Sequence, residues 1–78
     1  AIYECPNVEE IELQTGFNVS ANFSNCTKLT AASMVAMFNA LANRSSTTAN
    51  TLTLGSTNLS KLNDSQKAIA TNKNWTLS

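Results

Sequence analysis

Four carboxylates lie near the start of the chain, at Glu4, Glu9, Glu10 and Glu12. Carboxylates in a group can hold a cation. Calcium, however, wants several oxygen ligands gathered at a tight turn rich in Asp, Asn and Gly, and that spacing is absent, so the group reads as a solvated acidic face. Ser and Thr are plentiful, but a nucleophile needs an adjacent base. The bases on offer are isolated carboxylates and lysines, because the chain has no histidine, the usual general base and the commonest metal ligand. Two cysteines, Cys5 and Cys26, cannot make a zinc site without other soft ligands. They read first as two small buried apolar residues; one disulfide in an oxidising compartment is the alternative. No catalytic constellation, no metal site and no cofactor site follows from these residue types.

Two other patterns carry a functional and a plain reading. Asn-x-Ser/Thr sequons occur at Asn18, Asn22, Asn25, Asn43, Asn58, Asn63 and Asn74. In a eukaryotic secretory protein they would mean heavy glycosylation; elsewhere they reflect a chain rich in Asn, Ser and Thr. Met34 and Met37 resemble an interaction stripe, yet their spacing with Phe38 and Leu41 is that of a buried helix face.

The formal net charge is zero and charged residues make up 13% of the 78. With no basic footprint, nucleic acid and anionic membrane are not expected partners. No apolar run approaches the roughly 18 residues of a membrane span, and the opening Ala1-Ile2-Tyr3-Glu4-Cys5-Pro6 lacks the charged start and apolar core of a signal peptide. An initial Ala rather than Met reads as a chain cut from something longer. A single small domain of this size sits near the lower edge of independent stability.

The elements that must position any site show themselves through repetition. Asn25-Cys26-Thr27-Lys28-Leu29 and Asn58-Leu59-Ser60-Lys61-Leu62 share the pattern Asn, apolar, hydroxyl, Lys, Leu at an offset of 33. At the same offset Val19-Ser20-Ala21 falls on Leu52-Thr53-Leu54, and Asn39 falls on Asn72. A weaker copy, Cys5-Pro6-Asn7-Val8, lies 21 residues before Cys26-Thr27-Lys28-Leu29. Apolar–polar–apolar triplets at Ile11–Leu13, Val19–Ala21, Leu52–Leu54 and Trp75–Leu77 predict short half-buried strands, with Gly16 and Gly55 as turn punctuation.

Two helices are expected. The first runs from about Thr30, its N-cap, to Ala42; its buried face is Met34, Met37, Phe38 and Leu41, and Leu29 staples onto Met34. The second runs from about Asp64 to Asn72, capped by Asn63 with Gln66 closing a capping box. Asn43 to Asn50 is a polar loop with Arg44-Ser45-Ser46-Thr47-Thr48 at its centre. Strands joined by helices favour a parallel α/β sheet, and repeats stack because no unit buries its apolar face alone.

Phe23-Ser24-Asn25-Cys26-Thr27-Lys28-Leu29 resembles the "Phe, two residues, Cys, two residues, Leu" signature of BspA-like bacterial leucine-rich repeats. Leu52-Thr53-Leu54-Gly55-Ser56-Thr57-Asn58-Leu59-Ser60-Lys61-Leu62 is similar to the general "Leu-x-Leu-x-x-x-Asn-Leu-x-x-Leu" pattern. Cys5 to Leu13 looks like the second half of such a repeat, and Ala68 to Leu77 like the terminal cap of these proteins in gut bacteria and their phages. The resemblance implies a short α/β solenoid fragment, residues 1–78, with parallel strands on one side and helices on the other, in irregular units of about 1–24, 25–57 and 58–78. It also implies that the signature Cys packs inside the coil, as Leu59 does in the next copy.

By the same resemblance, the polar residue of each triplet faces the concave side. That gives a ligand-facing set of Glu10, Glu12, Ser20 and Thr53, extended by Thr76. The function expected is non-enzymatic adhesion: a secreted or cell-surface module binding a protein or glycan, with the rest of a parent chain packed on its N-terminal side. The alternative is a structural module or terminal cap, for example of a phage tail fibre, without a ligand of its own.

Overall fold

A computed structural model of the chain describes residues 6–78. Glu4 and Cys5 lie outside the described residues. The fold is α/β, with three parallel strands and three helices in the order β1 (Ala21–Asn22), α1 (Ala31–Ala40), β2 (Asn50–Thr53), α2 (Gly55–Leu59), α3 (Asp64–Thr71) and β3 (Trp75–Leu77). The sheet order is β1-β2-β3, and both neighbouring pairs are parallel.

Helix α1 forms where its spacing predicts. Thr30 caps it: backbone in the extended region, the Thr30 hydroxyl accepts from Ser33 N at 3.1 Å. Met34, Met37 and Phe38 are fully buried and Leu41 nearly so, so the methionines are core and not a stripe for partners. Leu29 and Met34 belong to that same core. Helix α3 is set by the capping box read from sequence: Asn63 Oδ1 accepts from Gln66 N at 2.8 Å, and Gln66 Oε1 accepts from Asn63 N at 2.9 Å. The interior joins Ala21, Phe23, Leu52, Leu54 and Trp75 of the sheet side to these helices. Burying a Leu or Phe side chain contributes about 1.5–3 kcal/mol, so the one shared core outweighs any single strand pairing.

Three expectations about strands are corrected. Ile11–Leu13 is not a strand; Ile11 N donates to the hydroxyl of Ser33 at 2.9 Å, and the segment runs against α1. The pairing of Val19 with Leu52 fails: Val19 is 54% exposed and outside the sheet, and Leu52 instead lies beside Ala21. Leu54 sits just beyond β2, whose residues are Asn50–Thr53. Nor are the units equal, so the described residues make one sheet rather than a run of matching repeats.

The reason is local. The N-caps Thr30 and Asn63 keep the offset of 33, whereas the strand partners Ala21 and Leu52 are 31 apart. After β1 the chain descends through two tight turns, with Cys26 N bonded to Phe23 O and Leu29 N to Cys26 O. After β2 it descends through α2, which was not expected and consumes two more residues over the same drop. Buried positions therefore fall at Phe23, Cys26 and Leu29 in one descent and at Leu54, Asn58 and Leu62 in the other.

Gly55 is where the descents touch. Its φ is +81°, a conformation that favours glycine, and a Cβ there would lie 3.2 Å from Ser24 Cβ, a tight approach. Cys26 is fully buried, as the packing reading requires, but it is disulfide-bonded rather than a free thiol. A bonded sulfur is as apolar as the methylene it replaces in the core, so burial alone did not distinguish the two.

Candidate functional site

Alternation along the strands sends Leu52, Leu54, Ala21, Phe23 and Trp75 inward. Their neighbours Ser20, Asn22, Thr51, Thr53, Thr76 and Ser78 turn the other way and are exposed or half-buried. The register of the sheet sorts these into two rows across the strands. Ser20, Thr51 and Thr76 form the first: Thr51 N donates to Ser20 Oγ at 3.0 Å, and Thr51 lies beside Thr76. Asn22, Thr53 and Ser78 form the second: Asn22 lies beside Thr53, and Ser78 Oγ is 3.3 Å from Thr53 Oγ1. Neighbours in a row are about 4.8 Å apart, the spacing of paired strands. The face is thus an ordered patch of hydroxyls and an amide with no charged side chain in either row.

Where the strands begin, a loop borders this patch. Asn43 to Ala49 is polar and exposed for most of its length, yet it is tied down from three sides. Arg44 N donates to Lys73 O at 2.9 Å, and Asn74 Nδ2 donates to Arg44 O at 2.9 Å and to Thr47 O at 2.8 Å. Asn74 reaches both because its φ is +63°, a left-handed conformation that Asn tolerates better than most residues. The Arg44 guanidinium donates through Nε to Thr48 O at 2.8 Å and through Nη1 to Asn18 Oδ1. Asn50 Nδ2 donates to the same Asn18 oxygen at 3.2 Å. A loop that composition alone would leave floppy is therefore fixed, with one cationic group at the edge of the uncharged face.

The ligand-facing set read from sequence divides. Ser20 and Thr53 lie on the sheet face, one in each row, and Thr76 joins Ser20. Glu10 and Glu12 do not: they line a groove of about 550 Å³ between residues 10–15 and α1, whose wall is Ala32, Ser33, Ala36, Asn39 and Ala40. Because Ile11–Leu13 is not a strand, its polar positions never reach the sheet. The groove sets Glu10, Glu12, Thr15 and Asn39 among Ile11, Leu13 and three alanines, and the Ser33 hydroxyl in its wall already accepts from Ile11 N. Sequence reasoning missed Asn18, Asn22, Arg44, Asn50 and Thr51. The alternation Asn18, Ser20, Asn22 was a usable signal for the first two; Arg44 carried none, since its placement depends on Asn74 and Asn18, far away in the chain.

Among the described residues no group of three or more His, Cys, Asp or Glu is placed to hold a metal ion, and no helix is long and apolar enough to cross a membrane. The sequons separate by geometry. Asn58 is fully buried and Asn63 and Asn74 are engaged as described, whereas Asn25 is exposed. No family model matches the chain, and neither a curated protein nor a solved structure shows a significant similarity to it.

Proposed function

We propose that this chain is a non-enzymatic binding module that takes a protein or glycan ligand on the exposed face of its sheet, within a secreted or cell-surface protein. The observation that carries this reading is the pair of cross-strand rows, Ser20–Thr51–Thr76 and Asn22–Thr53–Ser78. Ordered hydroxyls and amides suit a ligand recognised by many neutral hydrogen bonds, which is how sugars and polar peptides are held. The disulfide at Cys26 fits an oxidising compartment.

In this reading the fold is a short, irregular solenoid fragment of the leucine-rich-repeat kind. The drift from 31 to 33 is then the mark of two descents of unequal length, not of unrelated units. The end carrying α3 serves as a cap. Its exposed residues Asp64, Ser65, Thr71 and Asn72 are polar, whereas the exposed large hydrophobics, Val8 and Val19, both lie toward the other end. Further chain packs on that N-terminal side.

The test is binding of the full chain to an array of glycans and to extracellular matrix proteins, beside a variant carrying Thr51→Val, Thr53→Val and Thr76→Val. The substitutions keep shape and remove hydroxyls. Wild-type binding that the triple variant loses, with unchanged thermal unfolding, is expected. Binding by neither protein, or equal binding by both, rules the reading out. If there is no binding and truncation of residues 58–78 abolishes folding, the chain is a structural cap without a ligand.

A further inference from the structure

Resting on the reading of the sheet face as a glycan surface, we infer that its ligand is an acidic saccharide whose carboxylate is taken by Arg44 and whose ring hydroxyls lie along the Ser20–Thr51–Thr76 row.

The inference comes from what the loop holds still and what it leaves open. Two of the three nitrogens of the Arg44 guanidinium are engaged, Nε by Thr48 O and Nη1 by Asn18 Oδ1. Both acceptors are neutral, so the cation is oriented without being neutralised. Nη2 has no partner among the described residues. A guanidinium fixed in this way presents its remaining N–H groups as a fork that matches a carboxylate. The ordering cost of the side chain has already been met by folding, and such preorganisation is what converts contacts into affinity.

The groups around it complete a sugar site. Asn18 Oδ1 accepts from both Arg44 and Asn50, which leaves Asn18 Nδ2 as a donor and Asn50 Oδ1 as an acceptor. The hydroxyls of Thr51 and Thr76 have no partner among the described residues, and each can donate and accept. Charge also selects. Asp64 lies in the first turn of α3, and Glu10 and Glu12 line the groove against α1. No carboxylate side chain among the described residues lies in either row, so along the first row an incoming anion meets a cation and neutral dipoles. An uncharged sugar would leave Arg44 unused, and a basic peptide would be repelled by it.

The probes are a galacturonic acid trimer and its methyl ester, which keeps every ring hydroxyl and loses the charge. Titration calorimetry of the full chain is expected to show the acid binding about tenfold tighter than the ester, the size of one good hydrogen bond to a charged group. Salt should weaken the acid and leave the ester unchanged. Arg44→Gln should erase the difference. Because Arg44 also holds the loop, Asn18→Asp supplies a second variant: it keeps an oxygen on the guanidinium but neutralises it, and should bind acid and ester alike. Thr76→Val should weaken both probes equally. Equal binding of acid and ester by the wild type overturns the acidic specificity while leaving a neutral glycan surface standing. A preference for the acid that survives Asn18→Asp overturns the role of Arg44. Binding of neither probe overturns the inference, and the array then decides the broader reading on its own.

Discussion

Two copies of one pentapeptide pattern, Asn25 to Leu29 and Asn58 to Leu62, lie 33 residues apart and do different work. Asn58 is fully buried and its Nδ2 donates to Leu54 O at 2.9 Å and Cys26 O at 3.1 Å, with Phe23 O at 3.5 Å. Asn25 is exposed. Lys61 Nζ donates to Leu29 O at 2.6 Å, Thr27 O at 2.9 Å and Asn58 Oδ1 at 3.1 Å. Lys28 is exposed and has no hydrogen-bond partner among the described residues. The second copy binds the first: its amide adds a second donor to Phe23 O and Cys26 O, and its ammonium takes Thr27 O and Leu29 O. The difference teaches that a repeated motif marks where two strand-to-helix segments meet, while the role of each residue depends on which neighbour it meets and on the shape of its own descent.

The comparison can be broken most severely at Asn58. Asn58→Ala removes a buried amide that bonds three carbonyls and leaves a cavity in its place, and should cost about 1–3 kcal/mol in urea unfolding, whereas Asn25→Ala should stay within about 0.5 kcal/mol. Equal losses would mean that the two asparagines are equivalent after all. Gly55→Ala comes next. The position corresponds to Ser24 at the strand offset of 31, and a left-handed φ costs a non-glycine residue about 1–2 kcal/mol before the approach to Ser24 is counted. A stability unchanged by this substitution would remove Gly55 as the point of closest contact.

The lysines sharpen the contrast at smaller amplitude. Lys61→Met retains the aliphatic stem and should lose about 1 kcal/mol, against no measurable change for Lys28→Met. Lys73 repeats the device one step later: its Nζ donates to Leu41 O and Asn39 O at 2.9 Å and to Phe38 O at 3.0 Å, at the end of α1. Lys73→Met should cost about 0.3–1 kcal/mol, the range of a cation at a helix C-terminus, read as a lowered thermal midpoint. If Lys73→Met and Lys28→Met melt together, the carbonyl contacts contribute nothing.

Helices α1 and α3 and their caps were readable from the sequence because their signals are local, whereas the short α2 has no side-chain cap to announce it. Thr30, Asn63 and Gln66 act within one turn, and Met34, Met37, Phe38 and Leu41 report a face by spacing alone. Strand register was not readable, since it rests on contacts between distant segments. The pattern of Val19–Ala21 is the same whether it pairs at 33 or at 31, and only the unequal descents decide. Ile11–Leu13 had a strand-like alternation, but its backbone was claimed by Ser33 of α1, an exchange that no alternation records. The site followed the same division. Ser20 and Thr53 were rightly placed on the outer face of the sheet because strand parity is local; Glu10 and Glu12 were misplaced with their false strand; and Arg44 was passed over because a loop is fixed by whatever reaches it from elsewhere.

The lysine contacts have a consequence for the medium in which the chain can work. Lys61 and Lys73 are held by backbone oxygens and an amide, not by carboxylates. Such acceptors gain no proton as acidity rises, so these clasps between distant segments stay shut where a protein knitted together by Asp and Glu bridges would begin to loosen.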